Sequence, residues 1–321
     1  TSRENATIGV FESFKKKKST GTFRVFVLGE STTLGFPYMA SASFDRWLLY
    51  RLMHTFPERD FEIVNVSLTA VNSYTVLGFA KEVVNYEPDA VMIYCGQNEY
   101  YGALGVGSTS QLGGNHTLIQ SLLYLKSFRL VQLMENGYSA LTRIANKKDI
   151  DQRKTLMQRM AAEQQIPLNS NLYNRGIEQF KNNMQDLCQV FSKKGIPVFV
   201  SNLVSNEKDL KPFISNKNDP SASAGYHYLL GKKAYKEGGF ITAKKQFVLA
   251  KDLDMLRFRA PEALNTVIDG LPSKYQGVYL VDTKKMFEAH SPHGIIGNET
   301  LLEHVHPNLL GYSLMSEAFY Q

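Results

Sequence analysis

The chain has 321 residues, 43% of them hydrophobic and 21% charged, a composition ordinary for a globular protein with one large core, whether or not that core carries a sizeable insertion. A net charge of +6, without interleaved basic and aromatic residues, gives no support to a nucleic-acid partner. Cys95 and Cys188 are the only cysteines, which excludes a disulfide framework and a CxxC motif, and no stretch reaches the roughly 18 uninterrupted apolar residues of a membrane span.

Residues 1–22 read as an N-terminal extension holding Lys15, Lys16, Lys17 and Lys18. Such a run is either a solvated segment or a site that flanks a membrane anchor or touches anionic lipid. The sequence opens on Thr1 rather than Met, so an upstream signal or anchor is expected. The expected location is therefore extracytoplasmic or membrane-anchored in a bacterium, with the cytoplasm as the alternative.

The first predicted strand, 23–28, runs into Gly29-Glu30-Ser31-Thr32-Thr33, where Gly29 allows a tight turn. The string is not GxSxG, and Gly29, Ser31 and Gly35 do not make GxGxxG. A helix over 43–56 carries Phe44, Leu48, Leu49, Leu52 and Met53 on one face. A second strand, 62–66, leads through a polar segment to Asn72, and a helix follows at 73–85. The third strand, 90–95, ends in Gly96-Gln97-Asn98-Glu99-Tyr100-Tyr101. Helix 174–194 and strands 197–203 and 278–281 complete the alternation. Near-continuous apolar runs separated by amphipathic helices predict a three-layer α/β domain with a five-stranded parallel sheet. Ligands in such sheets bind beyond the strands' carboxyl ends, where Gly29 and Gly96 fall.

Two insertions interrupt the pattern. The first, 101–167, opens with a glycine-rich loop and becomes largely helical. It is either a lid or membrane-contacting surface, or a helix packed on the core. The second, 206–274, contains a helix pair in which Gly231, Gly238, Ala243, Phe247 and Ala250 fall at tetratricopeptide-like spacing. A single such unit predicts a packed accessory hairpin. After it come Arg257 and Arg259, which read either as binders of an anionic or carbohydrate group or as ion-pair partners of Asp252 and Asp254. Tyr100 and Tyr101 either line a substrate cleft or pack.

Near the C-terminus lies Glu303-His304-Val305-His306-Pro307. Glu303, three residues before His306, is placed to accept its Nδ1–H and leave Nε2 free as a base. His304 lacks that spacing, and without HExxH or a clustered third ligand the two histidines do not predict a metal site. A strand-end hydroxyl, an amide donor at Asn98, and an imidazole with its carboxylate are the parts of an acyl-transfer site.

On these strings the chain resembles the SGNH (GDSL-type) hydrolase superfamily from about Phe23 to its end, most of all bacterial members with a tetratricopeptide-like insertion. The resemblance implies a flavodoxin-like three-layer fold over 23–321, with the helical insertions inside it. It implies Ser31 as nucleophile and, through its N–H, as an oxyanion donor. The second family block, usually centred on glycine, falls on Ala70, whose N–H would be another donor, and Asn98 supplies the side-chain donor. His306 would be the base and Glu303 its orienter, replacing the usual Asp, as Glu30 replaces Asp in the first block. Glu30 is expected to hold the Ser31 loop by hydrogen bonds. The implied function is a serine esterase acting on a small-molecule, carbohydrate or lipid ester without a cofactor. Its alternatives are an O-acyltransferase to a sugar hydroxyl and a tetratricopeptide-type binding protein with a dead site.

Overall fold

The computed structural model describes residues 11–102, 105–107 and 165–321, together with 9 and 121. Strands β1 (Thr22–Gly29), β2 (Asp60–Asn65), β3 (Ala90–Tyr94), β4 (Val198–Ser201) and β5 (Val278–Val281) form one sheet in the order β2-β1-β3-β4-β5. Every neighbouring pair is parallel. The central strands are apolar on both faces because both faces are covered: Phe26, Val27, Leu28, Val91 and Ile93 are fully buried. At the edge, β5 departs from that expectation. Tyr279 is 52% exposed, since an edge strand has one neighbour and incomplete cover.

Among the described residues the helices are α1 (Ser31–Leu34), α2 (Phe44–Thr55), α3 (Ser73–Val83), α4 (Asn171–Ser192), α5 (Ala224–Lys236), α6 (Phe240–Leu253), α7 (Glu262–Asp269), α8 (Thr283–Ala289) and α9 (Leu309–Tyr320). None is long and apolar enough to cross a membrane. Helices α2 and α9 pack together, with Phe44 stacked on Phe319, and α3 packs on α4. On α2, Phe44 and Leu48 are buried as expected, but Met53 turns outward with Trp47 and Tyr50. Helix α4 shows why its sequence is helical: Tyr173, Phe180, Met184, Leu187 and Phe191 recur on its buried side, and the Ser170 hydroxyl caps it by accepting the Tyr173 N–H at 3.2 Å.

The sheet order puts β1 between β2 and β3, so the chain reverses direction across β1. That reversal leaves a crevice at the carboxyl ends of β1 and β3. An apolar cavity of about 530 Å3, lined by Phe23, Leu48, Phe61, Met92 and Phe199 among others, lies between the sheet and helices α2 and α9, away from that crevice.

The expected helix pair of the second insertion is α5 and α6, joined through Gly238 at φ 79°. Ala243, Phe247 and Ala250 are buried in it. A Cβ at Gly231 would stand 2.8 Å from the Phe247 ring, so only glycine lets the two helices approach this closely. The insertion expected at 101–167 lies almost wholly outside the described residues. Replacing Gly231 with Val forces the Phe247 ring aside, and a loss of about 1–3 kcal/mol is expected from overpacking. Urea unfolding of Gly231→Val against the parent chain checks it.

Candidate active site

Strand β1 ends at Gly29, which pairs with Tyr94 of β3. Its lack of a side chain serves space rather than turning: a Cβ would lie 2.1 Å from Thr33 Oγ1 and 2.2 Å from the Tyr94 carbonyl. The Thr33 hydroxyl donates to that carbonyl at 2.6 Å. Ser31 then opens the single turn α1, so its backbone N–H, in the first helical turn, has no intrahelical acceptor.

Glu30 is 2% exposed. Its carboxyl accepts the Gly96 N–H at 3.2 Å on one oxygen and the Asn98 N–H at 3.1 Å on the other. It therefore ties the loop after β1 to the loop after β3 rather than bracing its own turn alone. Gly96 leaves β3 at φ 140°, where a Cβ would meet Leu203 and Phe180. Glu99, fully buried, accepts from the Ser73 hydroxyl at 2.9 Å, the Ser73 N–H at 3.2 Å and Gln179 Nε2 at 2.5 Å. Asn98 thus sits between two buried carboxyls. Its half-buried side chain has no hydrogen-bond partner among the described residues.

Ala70 lies in the loop after β2 with φ 56°, the left-handed region that favours glycine. The backbone conformation expected at that position is therefore kept despite the alanine.

His306 sits in a tight C-terminal loop closed by Leu302 N–H to the His306 carbonyl at 2.9 Å and by a bridge between Leu301 and Pro307. The Thr32 hydroxyl donates to the Val305 carbonyl at 3.4 Å, joining this loop to α1. His306 Nε2 lies 2.8 Å from Ser31 Oγ, and His306 Nδ1 contacts Glu303 Oε1. The expected trio Ser31, His306 and Glu303 is brought together. Burial pulls the His306 imidazole down to about 4, so at neutral pH it is an unprotonated base.

At four residues the structure selects between the two readings, and at a fifth it departs from expectation. Tyr100 and Tyr101 do not line a cleft: both are buried, Tyr100 donating to the Tyr173 carbonyl at 3.1 Å and Tyr101 packing edge-on to Phe258. Arg257 and Arg259 are 1% and 3% exposed, which favours the structural reading over substrate binding. Arg257 donates to the carbonyls of Ile166, at 2.9 Å, and Asp252. Arg259 donates to Asp254 at 3.1 Å and to the Asn206 carbonyl at 2.9 Å. These are structural contacts, and they leave Arg257 Nη2 and Arg259 Nε buried without a hydrogen-bond partner among the described residues. His304, dismissed on spacing, contacts the same carboxylate as His306 through Glu303 Oε2.

Sequence reasoning also missed Phe36, 37% exposed, whose ring centroid lies 4.9 Å from that of His306. Phe213, 41% exposed, stands edge-on to His304. An aromatic residue five positions past Ser31 was the available signal for the first; the second had none.

The buried carboxyls give the site a pH signature. Burial, reinforced by Glu99, pushes Glu30 from 4.5 up to about 8, and burial pushes Glu99 up to about 7 against the pull of its Gln179 and Ser73 donors. In the folded state both keep protons that the unfolded chain has released, so their stabilising contribution is full below 4.5 and is lost as pH rises through 7 and 8. The lowered histidines act only below 6.5 and leave that window clear. Urea stability is therefore expected to fall between about pH 6.5 and 9, and Glu99→Gln should flatten the slope.

No protein-family model matches the sequence, and no curated protein matches it. Solved structures do resemble it. An acetyl xylan esterase, AlAXEase, aligns over 93% of this chain and 98% of its own at 12% identity with a TM-score of 0.46. A lipase/acylhydrolase from Enterococcus faecalis aligns over 92% and 93% at 13% identity and 0.44. A GDSL-like lipase from Bacteroides thetaiotaomicron aligns over 93% and 86% at 11% identity and 0.43. The chemical reading of this chain rests on its own side chains.

Proposed function

We propose that the chain is an SGNH-type serine ester hydrolase. The observation that carries the reading is the relay from Ser31 Oγ, 2.8 Å from His306 Nε2, through His306 Nδ1 to Glu303. Ser31 Oγ attacks the ester carbonyl while its proton passes to His306 Nε2. Collapse of the tetrahedral adduct breaks the carbonyl carbon–alkoxy oxygen bond, and the same proton leaves with the alcohol. Water then attacks the acyl-enzyme, giving its proton to His306 and restoring Ser31.

The negative oxygen formed in each step needs fixed donors. The Ser31 N–H at the head of α1, the Ala70 N–H in its left-handed turn and the Asn98 amide, without a partner among the described residues, are assigned to it. Glu30 supports this assignment by fixing the backbone of Asn98 relative to the residue next to Ser31.

With Arg257 and Arg259 buried, no expected cation is left for an anionic substrate. Exposed Phe36 and Phe213 flank the histidines instead. They favour an uncharged ester with an apolar or ring face, such as an acylated carbohydrate. The same residues could deliver the acyl group to a sugar hydroxyl in place of water, and product analysis with a sugar acceptor separates the two outcomes.

On a short-chain aryl ester, Ser31→Ala and His306→Ala should abolish turnover. Asn98→Ala should lower kcat by roughly 10²–10³, about 3 kcal/mol of transition-state stabilisation. Full activity in Ser31→Ala would sink the mechanism. Phe36→Ala should raise KM roughly ten-fold with little change in kcat, the pattern of lost uniform binding, as steady-state kinetics would read.

A further inference from the structure

Nothing in the proposed reaction uses His304, yet it holds the same carboxylate as the base. Glu303 Oε1 contacts His306 Nδ1 and accepts the His306 N–H at 2.9 Å. Glu303 Oε2 contacts His304 Nδ1 and accepts the His304 N–H at 2.7 Å. One carboxylate therefore accepts two backbone N–H groups and is contacted by two ring nitrogens, one of each kind on each oxygen.

Glutamate needs this more than aspartate does. Its extra torsion lets the carboxylate sweep a wider arc, and the Glu303 side chain is 38% exposed, so packing alone does not fix it. The backbone N–H groups hold each oxygen in place. The His304 ring nitrogen at Oε2, opposite that of His306 at Oε1, stands where a donor would fix the plane of the group as well.

His304 is itself locked. Its carbonyl accepts the Asn206 N–H at 2.9 Å, and its ring packs against Phe213 at 5.8 Å and Phe258 at 6.2 Å between centroids. The charged and titratable groups that face it are Glu303, His306 and Arg259, the last with its counter-ion Asp254. Burial, then His306 and Arg259, hold the His304 imidazole down to about 3. A neutral ring donates one N–H and adds no second cation. The carboxylate's charge is thus kept for the imidazolium that His306 becomes when it takes the Ser31 proton.

We infer that His304 is a positioning residue of the triad: its Nδ1–H fixes Glu303, whose other oxygen aims His306 at Ser31. The kinetic consequence rests on the hydrolase reading; the structural one does not.

Imidazole NMR of the full chain, combined with kinetics on the aryl ester, tests it. In the parent protein His304 should be the Nδ1–H tautomer, with the His306 Nδ1 proton far downfield. His304→Leu removes the donor and makes Glu303 more basic, so the His306 pKa should rise by about half a unit or more. In the same variant kcat should fall about ten-fold with KM within about two-fold. His304→Asn, which can place an amide N–H near the lost Nδ1–H, should recover both. A Nε2–H tautomer in the parent protein overturns the inference without any variant, even if His304→Leu does not fold. So does an unchanged His306 titration in His304→Leu, or a His304→Asn no better than His304→Leu. Ester turnover that survives Ser31→Ala would instead sink the hydrolase reading, while the NMR arm still reads the Glu303 contact.

Discussion

The buried carboxyl of Glu30 is the contact on which the site's geometry depends. It stands one residue before Ser31 and takes the N–H groups of Gly96 and Asn98 from the neighbouring strand's exit loop. Parallel pairing already aligns Gly29 with Tyr94, but pairing stops where the strands stop. Beyond that point two loops must keep a fixed offset if a hydroxyl and an amide are to face one reacting carbon. Hydrogen bonds to a carboxyl are worth about 1.5–3 kcal/mol each where the group is ionised, and less where it is neutral. They hold here because the carboxyl is buried away from bulk solvent.

The other half of the site owes little to the sheet. The loop holding His306 lies at the far end of the chain and is clamped from three sides: by Thr32 through the Val305 carbonyl, by Asn206 through the His304 carbonyl, and by the start of α9, where Asn308 accepts the Gly311 N–H at 3.0 Å. The second insertion joins this support. Gln97 donates to the Val204 carbonyl at 2.8 Å and accepts the Ala260 N–H at 2.9 Å, while Arg259 reaches the Asn206 carbonyl. The segment that follows the α5–α6 hairpin is thus a strut between the third strand's loop and the histidine loop. That explains why two arginines lie buried there, one ion-paired with Asp254 and the other spent on carbonyls.

The strands were legible because central parallel strands are apolar on both faces, and each predicted strand exists within a few residues of its expected ends. Ser31, Asn98 and His306 were legible because strand ends and a three-residue Glu–His spacing are local features. What stayed hidden depended on tertiary reach. Arg257 and Arg259 left substrate binding and ion pairing both open, because two residues apart in sequence do not say whether their shared side is buried. Adjacent Glu303 and His304 looked unable to meet, yet a tight loop lets one carboxylate turn an oxygen to each neighbour. Phe36 is held near His306 by tertiary contacts: its N–H donates to the Ser31 carbonyl at 3.0 Å, and its carbonyl accepts the Tyr312 hydroxyl of α9 at 2.7 Å.

Glu30 and Glu303 are the same residue type, each standing where the resemblance expects aspartate, yet their surroundings give them opposite work. Glu30 is sealed, has no cation in contact with it among the described residues and shares its burial with Glu99, so its neutral form is favoured and its use is as a brace. Glu303 is partly exposed and surrounded by N–H donors, which favour the charge that a developing imidazolium needs. Rising pH therefore acts on the two unequally. It leaves the Glu303–His306 pair unchanged, because His306 is already unprotonated. It forces charge onto the sealed pair behind Asn98, where two like charges have no counter-ion among the groups that contact them. In the proposed hydrolase, rising pH would therefore disturb the Glu30–Glu99 brace behind Asn98 before it changes the charge of His306.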